Sequence, residues 1–453
     1  MNFTGITFLY FFLPCFFAVY ALAKPAMRAY VMLAGSLVVI GWGGLLGLIP
    51  LAVCILTAYL CGAGCERLRE NKALSALLLW ICLLTDAAAV VLFVVLPGKD
   101  ISLFSAVGAG IYALHSLAYC FDVYRGECQR ETNLFRLAGY ISFLPSLNGI
   151  PLVTPKETLA AMKAPKIDSE RLANGILLLL FGIVEKTVVG DRLAAIFDEM
   201  QEISGGDLSM LMSWFGAFIF GAGLFCRLKG LSHIAQGFAL MCGIDTAPNF
   251  SFPYSQISLR DYLSSYNISA YNFVQRYFFR PLAGKDTGHA RTLLASSVSI
   301  VAVCLSYNIS ASFLIWGTSA ALLITIEMLF DHKISKLPKP VRYIFTHMLT
   351  IIGWAVVSQK TAVASMEYVS HMFTGALTLD TAPFLYFLGA SAPFVILLVI
   401  SELRVLRSLT VRLDSKRVSP IAIIKPVLTF ALLVLCTVFL MSGALPHGTV
   451  VEV

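Results

Sequence analysis

The sequence predicts an all-α, polytopic membrane protein with about eleven transmembrane or partial helices. Three observations lead there. The chain of 453 residues is 58% hydrophobic and only 13% charged, whereas a soluble chain carries roughly 25% charged residues. Its mean hydropathy is +0.81. Apolar runs close to the ~20 residues that one bilayer crossing needs follow one another from end to end, and charge is concentrated between them.

The runs lie near 3–22, 29–62, 73–97, 101–121, 172–197, 208–226, 230–244, 292–330, 342–358, 384–402 and 420–441. The first ends in Ala21-Leu22-Ala23, which resembles a signal-peptidase site. It lacks a basic leader and exceeds the ~7–15 residues of a signal core, so a retained first span is expected. The second run is too long for one crossing and is expected to fold back at Gly41-Trp42-Gly43-Gly44. Arg227 and Lys229 interrupt the chain between 208–226 and 230–244, and 292–330 is expected to break once. No soluble domain, linker or internal repeat is visible, so residues 1–453 form a single integral-membrane domain in this reading.

The net charge is +7, from 33 Lys+Arg against 26 Asp+Glu. In a membrane chain such an excess belongs to loops and anionic lipid headgroups, so the bilayer is the expected partner and nucleic acid is not. The most basic loops are 331–342 (Lys333, Lys336, Lys339, Arg342) and 402–417 (Arg404, Arg407, Arg412, Lys416, Arg417). Basic loops prefer the cytoplasm, which implies an even number of crossings between them.

Chemistry-bearing residues inside apolar runs come next, because an intramembrane charge is expensive and marks a candidate site. Asp86, Glu185-Lys186, Asp191-Arg192, Arg227 and Lys229 qualify. The Glu185–Arg192 charges are expected to mark an interfacial turn closed by a structural ion pair. Arg227 and Lys229 would bind phosphate or snorkel to the interface. Of the seven histidines, His115 reads as a hydrogen-bonded core residue, and His115 and His233 are the candidate bases. The eleven cysteines are scattered. Cys61 and Cys65 are one helical turn apart, but no histidine or second cysteine pair accompanies them, so no metal is expected. There is no Gly-x-Ser-x-Gly, no phosphate-binding Gly-rich loop and no His-Glu-x-x-His.

One stretch is unfit to cross lipid. Asn249 to Gly284, NFSFPYSQISLRDYLSSYNISAYNFVQRYFFRPLAG, is polar, aromatic and Arg-bearing between apolar runs. Such a segment must sit at the interface or line a protein-walled, hydrated cavity. Short interfacial or re-entrant helices are expected here, with Arg260, Arg276 and Arg280 turned toward headgroups, carbonyls or acidic partners.

Five segments in order resemble the membrane-bound O-acyltransferase family, in its branch of alginate O-acetyltransferase and the D-alanyl-transfer membrane protein. They are FLYFFLP with RAYVMLAGSLVVIGWGG, GIYALHSLAYCFDVYRGE (Gly110–Glu127), FLPSLNGIPLVTPKE, GIVEKTVVGDRLA and the Asn249–Gly284 stretch. The last aligns without a gap to the family's N-F-x-x-P-Y…W-H-I-S…P-L-G-G. The resemblance implies helices around a central tunnel in the bacterial cytoplasmic membrane. It implies an acyl thioester donor (acetyl-CoA or acyl carrier protein) as substrate, with no bound cofactor, and a polysaccharide hydroxyl as acceptor. It also implies an extracytoplasmic acyltransferase or polysaccharide partner protein.

The family's two histidines are absent. The W-H-I-S position reads Tyr266-Asn267-Ile268-Ser269, and the W-H-G region reads Leu305-Ser306-Tyr307-Asn308-Ile309 ahead of Trp316. Tyr307 or Asn308 stands where the tunnel histidine would be, depending on one residue of alignment. The family's Y-F-D-F-S-G-Y-S-D segment has become Phe225–His233, which turns an acidic site basic. An imidazole titrates near ~6.5 and can accept a proton at neutral pH, whereas an amide cannot and a phenol near ~10 donates or relays. Asn308, Tyr307 and Asn267 are therefore the catalytic candidates, and Tyr266, Arg260, Arg227, His233, Arg276 and Trp316 the tunnel-binding ones. The alternatives are a family-shaped conduit or scaffold without transfer chemistry, or an unrelated transporter, which paired inverted repeats would mark.

Overall fold

The computed structural model describes residues 3–92, 103–204, 209–284, 289–305, 310–375, 381–402 and 420–441. Their regular secondary structure is helical, with no strand among them beyond one isolated bridge. Among the described residues eight helices are long and apolar enough to cross a membrane, and three shorter apolar ones accompany them, so the protein is a multi-pass membrane protein. In chain order the α-helices are α1 (Leu13–Leu22), α2 (Arg28–Gly43), α3 (Leu48–Arg67), α4 (Lys72–Val90), α5 (Leu103–Arg125), α6 (Leu134–Ile141), α7 (Pro155–Lys163), α8 (Ser169–Val184), α9 (Asp191–Ser204) and α10 (Met210–Met241). They continue with α11 (Leu259–Ser265), α12 (Ile268–Val274), α13 (Arg280–Ala283), α14 (His289–Leu305), α15 (Ala311–Leu329), α16 (Asp331–Ile334), α17 (Lys339–Val357), α18 (Ala362–Thr374), α19 (Thr381–Ser401) and α20 (Pro420–Met441). Asn71, Asn133, Ser258, Ser310 and Thr361 each accept a backbone N–H of the helix they begin, satisfying one of its orphan donors.

The expected fold-back in 29–62 occurs at Gly44, whose φ of 136° only glycine adopts readily. The expected break in 292–330 separates α14 from α15. Two expectations need correction. Arg227 and Lys229 do not divide the chain, because α10 runs through them without interruption. Nor do Glu185–Arg192 form a turn. They continue the helix as a π turn over Glu185–Gly190 leading directly into α9. In both places each charge has a partner inside the protein, so the helix need not break to reach water.

The chain divides into two compact units, Met1–Phe181 with Leu231–Ala247, and Gly182–Gly230 with Pro248–Val453. In the first, Phe3, Phe8, Phe12, Phe16 and Tyr20 form a continuous stack with successive centroids 4.5–5.8 Å apart. From Phe8 onward they recur every fourth residue, so they share one helix face, and Phe238 meets Phe3, Phe8 and Phe16 edge-on. The stack ends where the Tyr20 hydroxyl donates to the Cys242 carbonyl at 2.8 Å.

Helices α3, α4 and α5 pack against one another. Their seam gathers what the sequence scatters: the sulfurs of Cys61, Cys82 and Cys120 lie within 4.8 Å of one another, and Cys65 is 3.9 Å from Cys61. The reading that no further cysteines accompany Cys61 and Cys65 therefore fails in space, since residues far apart in the chain face one seam. Asp86, 2% exposed, accepts the Thr57 hydroxyl at 2.6 Å and the Cys82 thiol at 3.6 Å. His115 is fully buried. Its Nδ1 faces the Ile141 carbonyl at 3.2 Å, and its Nε2 accepts the Val153 N–H at 3.5 Å. Both ring nitrogens are occupied by backbone, so His115 is a core residue and not a free base.

At the edge of this unit Glu131, 4% exposed, binds the Asn133 N–H at 3.0 Å, Arg136 at 3.1 Å and Lys163 at 3.4 Å. Burial alone would raise its carboxyl pKa, but the Asn133 hydrogen bond and the two cations outweigh burial and hold it below the ordinary 4.5. A depressed folded value stabilises the fold above the unfolded pKa, and this contribution is lost as pH falls through the folded value. Glu131→Gln should therefore lower the melting temperature at neutral pH and flatten its decline on the acid side. Parallel acid limbs for variant and wild type in a detergent melt series would contradict this account.

Candidate functional site

The Asn249–Gly284 stretch folds as expected into short helices α11, α12 and α13 with a π turn over Gln275–Phe279. Its start is tied to its middle by backbone: the Ser251 N–H donates to the Ser265 carbonyl at 3.0 Å, and the Ile268 N–H to the Asn249 carbonyl at 2.8 Å. Phe250 and Tyr266 form the isolated bridge. At the centre sits Asn267, 3% exposed, with φ 55°. Asn tolerates this left-handed conformation better than most residues. Its Oδ1 accepts from Asn249 Nδ2 at 2.9 Å, from Ser269 Oγ at 3.3 Å and from the Ala270 N–H at 3.4 Å. Asn249 in turn accepts the Ser269 N–H at 2.8 Å. The two side chains clamp the start of α12, so the amide oxygen of Asn267 is spent on the loop that presents it.

Tyr266, 1% exposed, is enclosed by aromatic rings: Phe250 at 5.3 Å, Trp354 at 5.6 Å, Phe225 at 5.7 Å and Tyr262 at 5.7 Å. Trp316, 8% exposed, stacks beside Trp354 at 5.5 Å. The contact is close because residue 353 is glycine, where a Cβ would stand 2.4 Å from the Trp316 Nε1. Tyr266 and Trp316 thus meet on Trp354, and Asn267 follows Tyr266 directly in the chain. Tyr254 packs on Phe225 at 5.0 Å and Tyr262 at 6.1 Å, and His347 lies 6.1–6.2 Å from both tyrosines. Burial pushes the phenols of Tyr254 and Tyr262 well above their usual value, so both stay neutral at physiological pH.

Beside the rings lies a network of buried charge. Lys229 Nζ is 2.8 Å from Glu402 and 3.2 Å from Glu185, and 5.6 Å above the Phe225 ring. Asp191 receives Lys186 at 3.0 Å and the Nε of Arg227 at 2.9 Å. The Lys186–Asp191 pair is five residues apart, the i,i+5 relation that a π turn sets. Glycines let α10 approach: a Cβ on Gly230 would stand 2.5 Å from the Gly182 carbonyl, and one on Gly190 2.8 Å from the Arg227 nitrogen. Arg227 and Lys229, expected to meet phosphate or the interface, are instead held by carboxylates of their own chain.

The remaining sequence candidates fall apart. The Arg260 side chain is exposed, while its backbone N–H donates to Glu327 at 3.3 Å. Arg276 is half-buried, 5.7 Å above the Tyr277 ring. Arg280 is exposed at the start of α13. His233 is half-buried in α10, in the first unit. Tyr307 and Asn308 lie outside the described residues, in the sequence between α14 and α15. Sequence reasoning missed Trp354, Tyr254, His347 and Asn249. Asn249 and Tyr254 carried a local signal, as members of the polar stretch and its N-F-x-x-P-Y pattern; Trp354 and His347 are ordinary helix residues until the fold brings them together.

Comparison with known proteins supplies the decisive observation, since the family model of the membrane-bound O-acyltransferases matches residues 127–370. The chain belongs to the membrane-bound O-acyltransferase family. Within that family it is similar to "Probable alginate O-acetylase AlgI" of Pseudomonas fluorescens, 25% identical over 373 residues, 79% of this chain and 72% of that protein. It is similar to the protein of the same name in Pseudomonas aeruginosa, 24% identical over 395 residues, 83% of this chain and 75% of the relative. A "Peptidoglycan O-acetyltransferase" of Helicobacter pylori is 21% identical over 243 residues, 51% of this chain and 45% of its own. For a membrane-bound O-acyltransferase, the departure at Asn267 now has a structural meaning, because the residue at the W-H-I-S position serves as a loop clamp.

Proposed function

We propose that the protein transfers an acyl group, acetyl in the first instance, from a cytoplasmic thioester to a hydroxyl of an envelope polysaccharide. The supporting observation is the family match across 127–370, joined to relatives named for O-acetylation of alginate and peptidoglycan. The acceptor oxygen attacks the thioester carbonyl, the carbon–sulfur bond breaks, an ester forms, and the hydroxyl proton leaves with the thiol. Acetyl-CoA or an acyl carrier protein supplies the thioester through a tunnel between the helices. Tyr307 donates to the carbonyl oxygen or relays the proton, and Asn308 orients the acceptor. Asn267 acts through the clamp it closes with Asn249. Tyr266 and Trp316 wall the site, Arg260 and Arg276 attract anionic groups, and Arg227 sets the position of α10 through Asp191. The proton acceptor is a group on an extracytoplasmic partner.

Purified protein in detergent, given labelled acetyl thioester and polysaccharide, should release and transfer label above background. Tyr307→Phe should remove most of that activity. Histidine restored singly, as Tyr307→His or Asn308→His, should raise neutral-pH turnover by roughly 10²-fold at whichever of the two stands at the family's histidine position, the usual worth of a general base. If no thioester turns over, with or without partner proteins, and neither Tyr307→His nor Asn308→His restores anything, the transferase reading fails and a conduit or scaffold role takes its place.

A further inference from the structure

A second feature of the same unit lies at the far end of α15 and α17 from the Trp316–Trp354 pair. Ser312 Oγ donates to the Gln359 carbonyl at 2.8 Å at one end of these antiparallel helices. At the other end they line a groove of about 550 Å³, to which Ile257 and Leu259 also contribute. Its walls are Leu323, Ile326, Phe330, Val341, Phe345 and Leu349, of which Ile326, Phe330, Val341 and Phe345 are 41–62% exposed. Exposed apolar walls on two helices apolar enough to cross a membrane suit a hydrocarbon chain and not water. The volume falls within the ~300–1,000 Å³ of ordinary ligand pockets.

The mouth of the groove is basic. Lys333, Lys336 and Lys339 are exposed on the segment joining the two helices, and Lys333 Nζ stands 5.7 Å over the Phe330 ring. Arg342 lines the groove itself, and its buried Nε has no hydrogen-bond partner among the described residues. Glu327, on the same wall, accepts the Arg260 N–H and lies within electrostatic reach of Arg342, so the three lysines supply the excess of positive charge. An apolar slot capped by cations matches an amphiphile with one fatty chain in the slot and an anionic head above it. Basic pockets between membrane helices on the cytoplasmic side recognise acidic lipid headgroups in this way.

We propose that this groove holds an acyl chain of an anionic membrane phospholipid, with its phosphate received by Arg342 and the lysines of the 331–339 segment. The bound lipid then buttresses Ile257 and Leu259, and through them the Asn249–Gly284 segment that carries Asn267. The site is independent of the transfer reaction and stands whether or not the chain turns over thioesters.

The test uses the full-length protein in mixed micelles containing phosphatidylglycerol or phosphatidylcholine of identical chains, with retained lipid counted by native mass spectrometry. One phosphatidylglycerol should be retained in preference to phosphatidylcholine, whose choline cancels the phosphate charge, and Arg342→Ala should weaken phosphatidylglycerol retention roughly fivefold and phosphatidylcholine retention less, narrowing the preference. Val341→Trp, which fills an exposed wall, should reduce both. Phosphatidylglycerol carrying a photoreactive group in its chain should label wild-type residues 323–349, a readout that depends on no variant. Equal retention of the two lipids, labelling elsewhere, or displacement of phosphatidylglycerol by acetyl-CoA at low concentration would each overturn the assignment. The last result would identify a donor groove instead.

Discussion

Lys229→Met should destabilise the protein by about 3–5 kcal/mol, the usual consequence of leaving a buried charge without its partner. Lys229 stands between Glu185 at 3.2 Å and Glu402 at 2.8 Å, with the three side chains 11%, 18% and 14% exposed. Removing the ammonium leaves two carboxylates facing each other away from water, so the variant loses attraction and gains repulsion together. Methionine has nearly the same length as lysine, so lost packing does not explain the effect. The double variant Lys229→Met/Glu402→Gln should recover part of the loss, because one of the stranded charges is then gone. A detergent melt in which the single variant unfolds like wild type would show that water reaches the network and that it contributes little.

Asn267→Ala should cost roughly 3–6 kcal/mol, and the transfer activity should fall with it. Three contributions converge: about 1 kcal/mol for a lost helix cap, about 1–2 for alanine in a left-handed conformation, and about 1–3 for the unsatisfied Asn249 amide. Asn249→Ala breaks the same clamp from the other side and should behave alike, though without the backbone penalty. Asn267→Asp, which keeps the accepting oxygen, should be much milder. Suppose instead that Asn267→Ala melts normally yet abolishes transfer while Asn249→Ala remains active. Asn267 would then be a catalytic group and not a clamp.

Much of this was legible along the chain. The apolar runs announced their helices because crossing a bilayer requires about 20 apolar residues whatever lies beside them. Gly44 was readable as a fold-back, and the polar Asn249–Gly284 stretch as non-spanning, from local composition alone. Arg227 and Lys229 were misread as breaking a helix, because whether a charge can stay inside depends on Asp191, Glu185 and Glu402. Those partners are up to 173 residues away, and no local pattern announces them. Likewise Cys82 and Cys120 could not be assigned to Cys61 before α3, α4 and α5 were packed.

By itself the sequence determined that this is a helical membrane protein of the O-acyltransferase pattern with its histidines replaced, since hydropathy and ordered motifs are properties of the chain as written. Only the tertiary structure decided what the replacement at Asn267 does. Asn267 closes a clamp with Asn249, Trp354 joins Tyr266 to Trp316, and the buried cations answer to carboxylates on other helices. Each of these depends on distances between side chains remote in sequence, which packing sets and residue order does not.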